Sequence, residues 1–158
     1  MVGAAGAMAA LPLAAESQPM SADVQLARPA SMHPTRGYSQ FARIKTGDVV
    51  YFAGQVPLDP AGALVGPGDF KAQLERVFAN LDLAARAAGG SCRDIVKLNY
   101  FCVGSVDPAL LRHVSEVRDR YVDIERPPAS TFVFVSRLVR PEWLVEVEAV
   151  GVFAETSA

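Results

Sequence analysis

Alternating apolar and polar positions near the C-terminus predict a strand with two unlike faces. In the run LVEVEAVGVF at residues 144–153, the odd positions are all apolar or glycine, whereas Glu146 and Glu148 lie on the other side. A neighbouring run at residues 131–138, TFVFVSRL, is rich in aromatic and β-branched residues and predicts a second strand. Because the linker between the two runs is short, we expect these strands to pair antiparallel. Two carboxylates on an otherwise apolar strand are the first candidates for a functional role.

Two amphipathic helices are predicted upstream of these strands. The first begins after Asp69, whose side chain can accept a hydrogen bond from a free amide of the first turn, and ends before Gly89. Its apolar residues recur at helical spacing: Phe70, Leu74, Val77, Phe78, Leu81, Ala84, Ala85 and Ala88. The second begins at Asp107 with proline in the next position and carries an apolar stripe as far as Tyr121.

The remaining strand signals complete an α+β pattern. Residues 41–45 and 49–53 predict two short strands joined by a hairpin turn at residues 46–48, and residues 94–103 predict a longer strand. The order ββαβαββ predicts one mixed β-sheet with both helices packed on one face. The opposite face would keep apolar residues beside the two glutamates, so we expect self-association to cover it.

Composition divides the chain into an extension, one domain and a short tail. Residues 1–20 are rich in alanine and contain no Lys or Arg, so they lack the basic region of a secretory signal and are too short to span a bilayer. We expect residues 1–35 to be a disordered or irregular extension, with Met1 or Met20 as the start of the protein. Residues 36–154 form the domain, residues 155–158 a tail, and the location is cytoplasmic with no membrane contact.

Charge and residue counts exclude several classes of function. A formal net charge of -2 with scattered Lys and Arg argues against a nucleic-acid partner, which needs a basic surface. Two cysteines without ligand spacing predict buried reduced thiols, and two histidines argue against a metal site. The glycines before the first helix fit no nucleotide-binding fingerprint. These counts argue against a zinc site built from protein ligands and against a nucleotide-binding loop.

Glu146 is the best candidate for acid–base chemistry. A carboxylate on an apolar strand loses water, and this raises its pKa toward the range useful for proton transfer. The alternative is a structural ion pair with Arg137 or Lys97. Ser130 and Thr131 follow two prolines, so their hydroxyls are placed either to contact a ligand or to make ordinary strand-start hydrogen bonds.

Five stretches in the expected order resemble the RidA/YjgF/L-PSP family over roughly residues 36–154. They are YSQ at 38–40, VVYFAGQVPLD at 49–59, DIVKLNYFCV at 94–103, PPAST at 127–131 and LVEVEAV at 144–150. The resemblance implies a chorismate-mutase-like fold and a homotrimer around a central barrel, with small-molecule clefts between subunits. It also implies hydrolysis of reactive enamines or imines to 2-keto acids and ammonia without metal or organic cofactor. Some relatives are described as ribonucleases or translation inhibitors.

The resemblance assigns roles to individual residues and also marks a departure. Tyr38 matches the cleft tyrosine, Gly54 the glycine whose backbone contacts the ligand, and Glu146 the acid that positions or activates water. Ser130 stands where the deaminases have an arginine that binds the substrate carboxylate, and a hydroxyl cannot replace a bidentate guanidinium. The second-helix asparagine also has no clear counterpart. The chain thus resembles a branch without the substrate-binding arginine.

Three functions remain, in this order of preference. The first is an enamine or imine deaminase acting on a small metabolite other than the usual 2-iminoacids, with Arg120, or Arg112 or Arg126, supplying charge from another direction. The second is a trimeric protein that binds or senses a small molecule without turnover. The third is a ribonuclease, which the acidic balance of the chain disfavours.

Overall fold

The computed structural model describes residues 22–155, so predictions for residues 1–21 and 156–158 lie outside the described part. A mixed sheet and two α-helices form the body of the protein, and short 3₁₀ turns at Cys92–Asp94 and Pro108–Leu111 lead into β4 and α2. The elements are β1 (Asp23–Ala27), β2 (Phe41–Thr46), β3 (Asp48–Gln55), α1 (Phe70–Ala87), β4 (Ile95–Val103), α2 (Arg112–Arg118), β5 (Ala129–Val135) and β6 (Val145–Phe153).

The main sheet has the order β3-β6-β4-β5, with β4 antiparallel to β6 and parallel to β5. The predicted antiparallel pairing of the last two strands is therefore wrong, because β4 lies between them. Residues 136–144 cross the end of β4, where the amide of Val103 donates to Leu144 and that of Gly104 donates to Val135. A linker of this length spans the roughly 10 Å across one intervening strand.

The N-terminal strands also differ from prediction. No hairpin joins β2 to β3: β2 pairs with β1 in a separate two-stranded sheet, whereas β3 pairs with β6. Gly47, which separates β2 from β3, has a φ of 117°. This backbone conformation would be strained in a residue that carries a side chain. The prediction that residues 1–35 are disordered or irregular is wrong at Asp23–Ala27, which form strand β1. Exposed and half-buried positions alternate in this strand over only five residues.

Both helices pack on one face of the main sheet, as the apolar stripes predict. Asp69 caps α1 by accepting a hydrogen bond from the amide of Ala72 at 3.0 Å. Leu74, Val77 and Phe78 of α1 are fully buried in the core. The second α-helix is shorter than predicted, since Pro108–Leu111 adopts a 3₁₀ turn before Arg112–Arg118 continues as α2. In the described part of the chain, no helix is both long and apolar enough to cross a bilayer.

The opposite face of the sheet is uncovered in the single chain. Tyr51 is 80% exposed there, and Val49 and Val133 are also exposed. Glu146 and Glu148 lie on the same face, because β6 buries the alternate positions against the helices. This two-sided character of β6 confirms the alternation that the sequence predicts.

Candidate active site

Glu146 lies in a cavity on the uncovered face of the sheet. In the sheet it is opposite Phe101 of β4, and its side chain is half-buried. The cavity has a volume of about 430 Å³ and is lined by Phe101, Val135, Arg137, Leu138, Val139, Glu146 and Glu148. Its walls are thus mostly apolar, with the two carboxylates and one guanidinium as the charged groups.

The carboxylate of Glu146 has no hydrogen-bond or ion-pair partner among residues 22–155, whereas Glu148 accepts a hydrogen bond from Asn99 Nδ2 at 2.7 Å. Burial raises the pKa of the Glu146 carboxyl above its ordinary value, and the negative charge of Glu148 raises it further. Both effects favour the protonated form of this carboxyl more than in a free glutamate.

The alternative of a structural ion pair for Glu146 does not hold in the described part of the chain. The ammonium of Lys97 instead donates to Thr131 Oγ1 at 2.6 Å. Burial lowers the pKa of Lys97, and the charge of Glu148 opposes this change. Arg137 lines the same cavity, yet within residues 22–155 it makes no ion pair within 4 Å.

Gly54 gives the Glu146 side chain the room it occupies. A Cβ atom at position 54 would collide with Oε1 of Glu146. The register of β3 against β6 shifts between Phe52 and Gln55, which brings the Gly54 backbone against this carboxylate. The structure thus joins two of the residues named from the sequence, Gly54 and Glu146, in one place.

Tyr38 lies beside the segment that begins β5. Ser39 bridges to Ala129, its amide donates to the carbonyl of Pro128 at 3.1 Å, and its buried hydroxyl donates to that of Pro127 at 2.7 Å. The hydroxyl of Tyr38 is 3.4 Å from Nε2 of His33. Tyr38 and Ser130 therefore belong to one edge of the molecule.

Within one chain this edge is separate from the Glu146 cavity. Ser130 is aligned with Leu98 and shares its helix-facing side, whereas Glu146 points to the uncovered side, and β4 lies between their strands. Two strand spacings amount to about 10 Å. Thr131 does face the Glu146 side, where Lys97 binds it. The ligand-binding roles of Tyr38, Ser130 and Thr131 remain predictions.

Arg120 is placed away from both groups of residues. Its Nη2 donates to Glu75 of α1 at 2.9 Å, and both side chains are about half exposed. Arg112 and Arg126 also donate hydrogen bonds within the chain, to the carbonyls of Ala109 and Val24. Each of these three arginines thus has a partner within the chain, and the ligand role proposed for Arg120 remains a prediction.

Arg118 was not singled out from the sequence. Its side chain is 13% exposed, and it pairs with Asp119 at 2.6 Å. Its guanidinium lies against the backbone of Gly37, directly before Tyr38. The sequence shows it only as a basic residue within the predicted second helix. Four arginines lie between residues 112 and 126, so basic character alone does not distinguish Arg118 from the others.

Both cysteines are free and buried, as expected, and burial raises the pKa of Cys92 to about 12 and that of Cys102 to about 11. Such thiols remain protonated and unreactive at neutral pH. Across residues 22–155, no three His, Cys, Asp or Glu side chains are grouped to hold a metal ion.

A mixed sheet with two helices on one face and an acid-bearing cavity on the other defines a class of α+β domain with the chorismate-mutase-like fold. The profile of the family Endoribonuclease L-PSP matches residues 28–153. The chain belongs to this family, also called RidA/YjgF. The profile begins before the domain boundary placed at residue 36 and includes the end of that predicted extension.

Relatives and solved structures agree with this assignment. A RutC family protein of Pyrococcus abyssi is 37% identical over 118 residues, which cover 75% of this chain and 87% of the relative. The 3-aminoacrylate deaminase RutC of Acinetobacter baylyi is 31% identical over 108 residues, 68% of this chain and 81% of that protein. The Rid-family protein YyfB of Yersinia pestis superposes with a TM-score of 0.74 at 32% identity, covering 82% of this chain and 98% of YyfB.

Proposed function

We propose that this protein hydrolyses the C=N bond of a small imine, or of the enamine that tautomerises to it, with Glu146 as the acid–base group. The observation that carries the proposal is the state of Glu146: half-buried, without a partner in the described part of the chain, and placed in a largely apolar cavity. An unpaired buried carboxylate costs stability, which is characteristic of a group kept for chemistry. Similarity to a protein named as a deaminase supports the same reaction class.

The chemistry needs one group that first accepts and then donates a proton. Glu146 takes a proton from water as the hydroxyl adds to the imine carbon, and passes that proton to the imine nitrogen to give the carbinolamine R₂C(OH)NH₂. Glu146 then takes the proton of the hydroxyl and gives it to the amine, so that the C–N bond breaks, ammonia leaves and the carbonyl forms. The balance is R₂C=NH + H₂O → R₂C=O + NH₃. A raised pKa makes the Glu146 carboxylate a stronger base than an ordinary glutamate.

The proposed assembly is a homotrimer whose clefts lie between subunits. The uncovered face exposes Tyr51, Val49 and Val133, and an apolar surface of this kind favours a partner. A neighbouring copy would also bring a Tyr38 edge to the Glu146 cavity, which one chain keeps apart. Light scattering should give three chain masses, and a monomer mass at working concentration would contradict the shared cleft.

The reaction is tested by competition with a chemical trap. An amino-acid oxidase generates 2-iminobutanoate in situ, and semicarbazide captures whatever is not hydrolysed. The protein should lower the yield of semicarbazone, and Glu146→Gln should reduce this effect by about 10² to 10⁴-fold. Glu142→Gln, at an exposed loop glutamate, is the matched control and should behave as wild type. Binding without any change in trapping, beside an active deaminase control, would favour the non-catalytic function instead.

Mixed assemblies test whether the cleft is shared. Glu146→Gln and Tyr38→Ala chains, each inactive alone, are co-expressed with different tags and purified together. If Glu146 and Tyr38 of one cleft come from different chains, random mixing gives about a quarter of the clefts both intact residues. If both come from the same chain, no cleft recovers activity.

A further inference from the structure

A row of polar side chains crosses the uncovered face of the sheet beside the Glu146 cavity. Asn99 of β4 is aligned with Glu148 of β6 on one side and with Thr131 of β5 on the other. Lys97 lies two residues before Asn99, on the same face of β4. These four side chains lie next to the Glu146 carboxylate, which is two residues before Glu148 on β6 and points to the same side.

Asn99 holds the carboxylate of Glu148 in place. Its Nδ2 donates to Oε1 of Glu148 at 2.7 Å, and both side chains are half-buried. An ionised carboxylate only accepts hydrogen bonds, so the donor is the NH₂ group of the amide. Among residues 22–155, no other group donates to the Glu148 carboxylate. The position of this carboxylate therefore depends on a single hydrogen bond.

The bond from Asn99 leaves the negative charge of Glu148 uncancelled. An amide is neutral, so it satisfies the carboxylate without neutralising it, whereas a lysine or arginine would neutralise it. Lys97 is the cation on the same face of β4, yet its ammonium donates to Thr131 Oγ1 at 2.6 Å. In the described part of the chain, Lys97 makes no ion pair within 4 Å. Glu148 therefore presents its negative charge to the cavity that it lines together with Glu146.

The position of this charge decides how strongly it acts on Glu146. The two glutamates are two residues apart on one strand, so their Cα atoms are about 6.6 Å apart and their flexible side chains can approach or separate. Like charges repel, so an unrestrained Glu148 side chain would turn away from Glu146. Burial raises the pKa of the Glu146 carboxyl, and the negative charge of Glu148 raises it further. The hydrogen bond from Asn99 keeps this second effect in place.

We propose that Asn99 is a positioning residue for the reaction: it holds the uncancelled charge of Glu148 beside Glu146 and so makes Glu146 a stronger base toward water. This inference rests on the proposed function, because it concerns the base strength of the same carboxylate. Lys97 and Thr131 take part indirectly, since their hydrogen bond keeps the ammonium away from Glu148. The charged and titratable groups that share this face with Glu146 are Glu148 of β6, Lys97 of β4, Arg137 of the loop after β5 and Tyr51 of β3.

Titration of the Glu146 carboxyl by NMR tests this assignment without any turnover. Glutamate labelled with ¹³C at Cδ gives one signal per residue in the full chain, and Glu146→Gln identifies the signal of Glu146. The pKa read from this signal should fall in Glu148→Gln, and also in Asn99→Leu, which keeps the size of the side chain and removes the donor. In the Glu148→Gln background, Asn99→Leu should cause no further change, because Asn99 acts through Glu148. Gln25→Leu, at an exposed amide of β1, is the control and should leave the titration unchanged.

Asn99→Ala is the second variant, because its small side chain cannot overfill the site, and it should lower the Glu146 pKa as Asn99→Leu does. In the trapping assay, both variants should move the acid limb of the pH–rate profile to lower pH and lower the plateau rate several-fold, since a weaker base removes the proton of water more slowly. The assignment is wrong if the folded Asn99 variants leave the Glu146 pKa unchanged or raise it, or if Asn99→Leu lowers it equally with and without Glu148. The expected titrations in a protein without imine hydrolysis would contradict the proposed function alone. Hydrolysis with a titration that does not depend on Asn99 would contradict this inference alone.

Discussion

Gln73 ties together three segments that place the Glu146 strand. Its side chain is fully buried; its Nε2 donates to the carbonyls of Gly66 at 3.1 Å and Glu142 at 2.9 Å, and its Oε1 accepts from the amide of Leu144 at 2.8 Å. Replacing Gln73 by Met keeps the length of the side chain and removes all three bonds. Each bond contributes about 0.5–1.5 kcal/mol, so the gross loss is about 1.5–4.5 kcal/mol.

Burial of the apolar Met side chain offsets part of this loss, and we expect unfolding free energy to fall by about 2–3 kcal/mol. Urea denaturation should show a lower midpoint with an unchanged slope. Gln25→Met, at an exposed position of β1, is the control and should change stability by less than about 0.5 kcal/mol. If Gln73→Met costs no more than Gln25→Met, the three bonds do not hold these segments together.

Three further substitutions test other parts of the structure. Glu148→Gln removes a charge that raises the pKa of Glu146, so this pKa should fall and the acid limb of the pH–rate profile should move to lower pH; an unmoved limb would show that the two carboxylates do not interact. Gly54→Ala should lower activity at least tenfold, measured by imine trapping, because the added methyl collides with the Glu146 carboxylate; wild-type activity would contradict this packing. Asp69→Ala should cost about 1 kcal/mol in denaturation, since the amide of Ala72 loses its cap, and a change near zero would remove that role.

Patterns within a single segment of sequence were sufficient to predict α1 and the two faces of β6. The apolar stripe and Asp69 cap located α1, whose bounds are Phe70–Ala87, and the alternation of β6 placed Glu146 and Glu148 on the side away from the helices. Both signals arise from the geometry of one segment, 3.6 residues per turn or two per repeat. They need no knowledge of what the segment packs against.

The pairing of strands and the contacts of buried polar groups join residues that are far apart in sequence, so the pattern within one segment does not predict them. The partner of β5 is β4, more than thirty residues earlier in register at Lys97 and Ala129, although β6 is nearer along the chain. Gln73 is an exception, because its place in the sequence itself carries a signal. It lies three residues after Phe70 and four before Val77, on the buried stripe, where a polar residue implies hydrogen-bond partners in the core.

The separation of the Tyr38 edge from Glu146 within one chain bears on the proposed shared cleft. A water activated by Glu146 must reach the imine carbon at about 3–3.5 Å, so the other groups that hold a small substrate must lie within a few ångströms of the same site. Ser130, on the Tyr38 edge, faces the helix side of β5, whereas Glu146 points to the uncovered side. Because β4 lies between their strands, the two strands are about 10 Å apart. If one substrate uses both Tyr38 and Glu146, we propose that these two residues belong to neighbouring subunits, and a Tyr38→Ala chain should restore activity when mixed with a Glu146→Gln chain.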